Sequence, residues 1–399
     1  MKWVKVMRRR VVTWTVAAVG GAAILGFIAW RRATAFGQQT MAIGPFPVAL
    51  AVSPSTHRAF VTHQDGMVDV LDTANGTLLR TVDLGGAYGY GYNNVAVAER
   101  AHRVFVAHAG PLQTEAVSML DVRTGRVLHT TPVGAATRAI TVDERGRQVV
   151  VGTDTGISIL DARTGAIRRT LELAVAGPVS TIALDVPAGR LFVGTLGVDE
   201  RGLVHMSGEG GTVHTFDMRH GTILATTTLD HEPLQMVVDA RRHRLFIPHK
   251  AGRAVSVLDT RSGQALQSII LEESETWPNT IAVDTAAGRL IVVANGAGVG
   301  TAASVGVFDT RTGQLMGAGA VDGTQRAIAV DERAGRAYIS GTVATVAIDT
   351  RGGAIVRTVG PDGGRVAVDP AAGRLVIVRT AGTSAAALNA SVVMVDTVR

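Results

Sequence analysis

The sequence predicts an all-β fold, a closed β-propeller of four-stranded blades, and three observations carry that expectation. Two short motifs alternate along the chain, eight copies of each, at spacings of roughly 38–56 residues. Between them lie runs of about 4–6 residues rich in Val, Ile, Ala and Thr and bounded by Asp and Gly, the pattern of short strands joined by tight turns. In the clearest unit, 326–360, no stretch keeps a helical period over ten residues or more. A repeat near 40–45 residues with four strands per unit is the mark of a propeller blade.

The unit is clearest in 326–360, RAIAVDERAGRAYISGTVATVAIDTRGGAIVRTVG, which reads as four strands and three turns. The first strand and its turn recur from AVSPSTHR (51–58) through ALDVPAGR (183–190) to AVDPAAGR (367–374). The third strand and its turn recur from VLDTANG (70–76) through VLDTRSG (257–263) to a truncated MVDTVR (394–399). Counting copies gives eight blades, with seven as the alternative if one degenerate copy is not a blade. The last copy stops before a fourth strand, and QQTMAIG (38–44) resembles the fourth strands RTVDLGG and HTTPVGA. Residues 38–44 are therefore expected to close the ring by pairing onto the last blade, which removes the edges an open ring would expose.

These repeats resemble the YVTN family of β-propellers, with FVTH (60–63), FVAH (105–108) and VVAN (292–295) at the family's tetrapeptide. The resemblance covers 38–399 and implies the fold. It implies no single reaction, because function on such scaffolds resides in grafted sites.

The 399 residues are 46% hydrophobic and only 4% aromatic, enough for a large aliphatic core. There is no cysteine, so disulfides, thiolate metal sites and a thiol nucleophile are excluded. The net charge of +6 is confined to the N-terminus, where Lys2, Lys5, Arg8, Arg9, Arg10, Arg31 and Arg32 stand without an acid. The remaining chain has 32 basic against 33 acidic residues, which argues against a nucleic-acid footprint.

Val11 to Trp30 is a run of 20 uncharged residues, long enough to span roughly 30 Å as a helix. Five basic residues precede it and two follow, so the expected organisation is a cytoplasmic basic segment (1–10), a single-pass transmembrane signal-anchor helix (11–30), a linker (31–37) and an extracytoplasmic propeller (38–399). The competing reading is a signal peptide cleaved near Ala35, which gives a secreted propeller.

The Asp and Gly of the D-x-R-x-G turns (Asp121, Asp161, Asp259, Asp309, Asp349) are expected to be structural. Asp accepts backbone N–H bonds two or three residues on, and Gly takes the positive φ. The first-turn pairs, such as Asp284 with Arg289 and Asp369 with Arg374, are expected to serve turns or ion pairs inside a blade. Recognition is expected where the innermost strands begin. Aligned copies place Asn93, Asn94, Arg138, Gln235, Asn279, Arg326 and Arg365 there, a set suited to a polar or anionic ligand; the alternative is a solvated channel mouth with no ligand. The Gly-rich loop 85–94 adds Tyr88, Tyr90 and Tyr92 beside it, and 197–211 and 272–277 are further long or acidic loops. His63, His108 and His249 end three copies of the tetrapeptide; a hydrogen bond to an adjoining loop is favoured over metal ligation.

These features predict a non-catalytic module that binds a protein or a small polar or anionic ligand, with no cofactor and no metal. The alternative is a metal-assisted, lactonase-like hydrolase or lyase at the channel mouth. The aligned inner positions hold no carboxylate, and only Glu232 and Glu275 stand near enough to supply one.

Overall fold

A computed structural model describes residues 37–85, 94–109, 115–173, 177–198, 204, 209–249, 252–271, 276–296, 301–380 and 390–397. They form eight four-stranded antiparallel sheets. Seven sheets use four consecutive strands each, within 47–83, 95–132, 137–172, 179–231, 237–270, 276–321 and 325–361, and are blades 1 to 7. Blade 8 combines Arg365–Asp369, Arg374–Thr380 and Ala390–Asp396 with Gln39–Ala42 as its outermost strand. Gln39 faces Met394 and Ala42 faces Ser391 in that pairing, so the expected closure by 38–44 is realised by residues 39–42. Each inner strand packs against the inner strands of both neighbours, and Pro47–Ser53 meets Arg365–Asp369 to complete the ring. The blade count is eight.

The expected transmembrane segment, 11–30, lies outside the described residues; among the described residues no helix is long and apolar enough to cross a membrane.

Burial grades across a blade as the sequence implies. Second strands are packed on both faces and read as continuous apolar runs, such as RAFVTH (Arg58–His63), buried from its second residue on. Fourth strands lie at the rim, and most residues of TLLRTVD (Thr77–Asp83) are exposed. The core is a set of inter-blade layers, one of which joins Phe105 and Met119 of blade 2 to Ile140, Val149 and Leu160 of blade 3.

The antiparallel register separates the two faces of the ring. Arg58, which opens the second strand of blade 1, lies opposite Asp72, which closes its third. The turns after the first and third strands therefore share one face, here the turn face. Connections after the second and fourth strands leave from the other, the loop face. On the turn face the first turn always reaches a left-handed backbone, whichever residue occupies it. His57, His102, Arg147 and His243 have φ of 52–56°, and Gly189, Gly288, Gly335 and Gly373 have φ of 60–69°. Glycine adopts this conformation without steric cost, whereas the other four are strained.

Ion pairs on this face run differently from the sequence expectation. Arg289 lies 2.9 Å from Asp309 of the third turn, not against Asp284. Equivalent Arg–Asp pairs at 2.5–3.5 Å recur in seven blades, including Arg58–Asp72, Arg336–Asp349 and Arg374–Asp396. Blade 3 has Gln148 at that position, and its Asp161 pairs with Arg168 instead. The third-turn Asp caps its turn as expected: Asp309 Oδ1 accepts the N–H groups of Arg311 and Thr312, each at 3.0 Å.

Candidate functional site

The inner strands begin on the loop face around the central channel. Their first side chains are the sequence-selected candidates, and the structure gives most of them a partner. Arg138 makes a two-pronged contact with Asp154, Nε to Oδ1 at 2.5 Å and Nη2 to Oδ2 at 3.2 Å. That carboxylate raises the guanidinium pKa above its ordinary value. Asn94 is buried, and its Oδ1 accepts the Thr62 hydroxyl of the preceding blade at 2.8 Å. Gln235 Oε1 accepts the Ile281 N–H of the next blade at 3.3 Å. Asn279 Nδ2 donates to the Gln325 carbonyl of blade 7 at 2.9 Å. Arg365 Nε donates to the Val48 carbonyl across the closure at 3.0 Å. Arg326 is exposed. Asn93, Tyr88, Tyr90 and Tyr92 lie outside the described residues, as do Glu275 and parts of the loops at 197–211 and 272–277.

These residues stand on separate blades, and the hydrogen bonds just described run within a blade or between neighbours. What the channel brings together is a wall of mostly aliphatic residues whose exposed surface is nevertheless more polar than apolar. A cavity of about 450 Å³ is walled by inner-strand residues of blades 3 to 7, among them Ile182, Leu184, Met236, Val238, Val283 and Ile328. Gln235 is the one sequence-selected candidate on its wall.

The three histidines are bonded within the structure. His63 is buried, with Nδ1 3.0 Å from the Pro45 carbonyl and Nε2 3.0 Å from Asp69 Oδ2. Asp69 also accepts the Gly44 N–H at 2.9 Å and the Thr81 hydroxyl. Burial pushes the Asp69 pKa up, but the bonds from His63, Thr81 and Gly44 outweigh it and hold the carboxyl below its usual range. The cluster fixes the chain just after the closing strand. His108 Nε2 lies 2.8 Å from the Ser118 hydroxyl, and His249 Nε2 lies 2.7 Å from that of Ser256. Burial lowers the pKa of both imidazoles. The histidines thus bond chiefly to the third strand of their own blade. Among the described residues no three His, Asp or Glu side chains are placed to hold a metal ion.

One set of polar residues escaped the sequence reading. The first-turn Asp of one blade is buried and accepts the hydroxyl of the Thr that follows the third-strand Asp of the next blade. Thr260 binds Asp185 and Thr73 binds Asp369, both at 2.5 Å, while Thr310 binds Asp239 and Thr350 binds Asp284, both at 2.6 Å. The signal was present as a partial correlation between successive copies: Asp in one first motif usually accompanies Thr in the next third motif, with Asp143 followed by Met218 as the exception. Where the first motif has Ala98, the next third motif has Ala162.

The fold and this face define an eight-bladed β-propeller in which four of the joints between blades carry a buried polar bridge. The chain matches no protein-family model and no curated protein. Solved structures do share its fold. BamB from Moraxella catarrhalis aligns over 90% of this chain and 100% of its own, at 15% identity and a TM-score of 0.57. The computationally designed Ika8 protein aligns over 88% of this chain and 96% of its own, at 17% identity and a TM-score of 0.63. At such identities the likeness is one of fold.

Proposed function

We propose that the chain is a membrane-anchored, extracytoplasmic, YVTN-like propeller that acts as a non-catalytic scaffold and binds a protein partner through its loop face. One observation carries this reading: the amides and arginines at the inner-strand starts mostly bridge neighbouring blades or pair within one, around the central channel. Recognition then falls to the connections that leave the loop face, whose lengths differ from blade to blade while the turn-face hardware repeats. Variable loops on a rigid scaffold are the usual seat of binding. The channel-mouth ligand of the sequence expectation becomes the competing outcome.

A thermal-shift series on the full chain against divalent metals and small anions tests the choice. A ligand present at about 100 times its Kd stabilises a fold by about 2.7 kcal/mol. The scaffold reading expects no such shift, and expects a photo-crosslinker at Val343, 59% exposed on the loop face, to capture a protein neighbour in native membranes. A saturable metal shift unaffected by Arg138→Ala/Arg326→Ala would restore the enzyme reading.

A further inference from the structure

The outermost strand of a blade starts directly after the third-strand turn, at the rim of the turn face, and there large apolar side chains meet water. Leu79, Leu128, Leu224, Leu266, Met316 and Val356, one from each of six blades, are 43–48% exposed. Beside them, the third turns of blades 2 to 7 present Arg123, Arg163, Arg219, Arg261, Arg311 and Arg351, all exposed. Among the described residues three glutamates share the face, and the exposed Arg100, Arg145 and Arg333 of the same first turns offset their charge. Glu144 takes the Glu99 and Arg100 N–H groups, Glu332 takes the Thr285 N–H, and Glu99 takes the Ser55 hydroxyl. The third-turn aspartates are paired with arginine, as described above. What the rim offers outward is therefore cationic and aliphatic together.

Blade 8 breaks this pattern, since its outermost strand is Gln39–Ala42. This is also where the chain enters the ring, and it enters on the turn face: Gln39 pairs with Met394 near the end of the third strand, and its side chain lies against Gly76 in the third turn of blade 1. In the sequence only residues 31–36 separate Trp30 from Gly37. Six residues reach at most about 20–25 Å. If 11–30 spans a bilayer, the face carrying the arginines and aliphatics is held within that reach of it.

We propose that the turn face is a membrane-docking surface, its arginines on anionic phospholipid headgroups and its rim aliphatics at the boundary between headgroups and acyl chains. Such amphipathic contact with anionic lipid is the ordinary mode of interfacial binding. It directs the loop face away from the bilayer, toward a partner. The inference rests on the anchor reading made above.

The absence of cysteine makes the test direct. The full chain, carrying one fluorophore at Leu224→Cys or at Val343→Cys, is reconstituted into vesicles of phosphatidylcholine with phosphatidylglycerol and a headgroup-attached quencher. The Leu224 label should be quenched and the Val343 label should not. The difference should shrink with salt and with Arg219→Ser/Arg311→Ser/Arg351→Ser. At about fivefold per cation, that triple change weakens docking on the order of a hundredfold. Equal quenching at both sites, or stronger quenching at Val343, overturns the proposal. Anchor failure reads differently, as release of the full chain by alkaline carbonate. Flotation of that released chain with anionic but not neutral vesicles then still supports the docking face, and failure to float refutes it.

Discussion

Seven of the eight joints in the ring are of two kinds. Between blades 4 and 5, 5 and 6, 6 and 7, and 8 and 1, a buried aspartate accepts a threonine hydroxyl. Between blades 1 and 2, 2 and 3, and 3 and 4, the threonine position holds Val122, Ala162 or Met218, each packed in an apolar inter-blade layer. Blade pairing and turn geometry are the same in both halves. A buried pair whose bonds are all made can replace, and be replaced by, apolar contact. Half a pair is tolerated only where the remaining group keeps other bonds and water, as Asp143 of blade 3 does opposite Met218: it is half-buried and accepts the Arg145 and Gly146 N–H groups. A fully buried group left without its bond is costly.

The largest effect is expected from Asp284→Ala. Asp284 is 1% exposed and accepts both the Thr350 hydroxyl at 2.6 Å and the Ala287 N–H at 2.8 Å. Stranding two buried donors costs about 2–5 kcal/mol, measured by denaturant unfolding. Thr350→Ala alone should cost about 1–3 kcal/mol. The double change Asp284→Ala/Thr350→Ala recreates the Ala98 and Ala162 joint and should cost less than the sum of the two. Strict additivity would break the comparison.

The same joint brings backbones into contact, and Gly317→Ala probes that. An added Cβ would lie 1.9 Å from the Gly352 carbonyl oxygen. The turn would have to move, at about 1–3 kcal/mol, visible as a lowered Tm.

Acid should act on both halves alike, because the third-turn aspartates recur in both. Burial pushes Asp161 up, but bonds from Arg168 and from the Thr164 and Arg163 N–H groups dominate and bring it to about 2 from 3.8. A depressed folded value means that its stabilisation is complete above about pH 4 and is lost as pH falls toward 2. Asp161→Asn should flatten that part of the stability profile. His108 and His249 act at milder pH. Burial depresses both below 6.5, so the folded state is favoured above that pH and loses stability as pH falls beneath it. His108→Asn should reduce this loss.

The smallest effect is expected from Arg147→Gly. Arg147 has φ of 52° where four other blades use glycine. Relief of left-handed strain less the added chain entropy should stabilise by about 0.5–1 kcal/mol, read by calorimetry.

The fold was legible because its signals are local. Asp accepts bonds two and three residues ahead, Gly or a tolerated substitute turns the chain, and alternation decides burial. Copy number followed from counting, and the closing strand from its likeness to other fourth strands. The candidate site was legible only as positions. Alignment placed Asn279 and Arg365 at strand starts on the loop face; Arg365 does open its strand, whereas Asn279 lies three residues inside one that begins at Thr276. Alignment could not show that Asn279 reaches the Gln325 carbonyl or Arg365 the Val48 carbonyl.

The sequence by itself determined a closed ring of four-stranded blades and a repeat count of eight, with seven blades left as the alternative that the eight sheets exclude. Only the tertiary structure decided which polar groups are bound and to what. Thr73 and Asp369 lie 296 residues apart in the chain and 2.5 Å apart in the fold. Contacts of that kind depend on how many blades close the ring and at what register they meet, which no window of sequence contains.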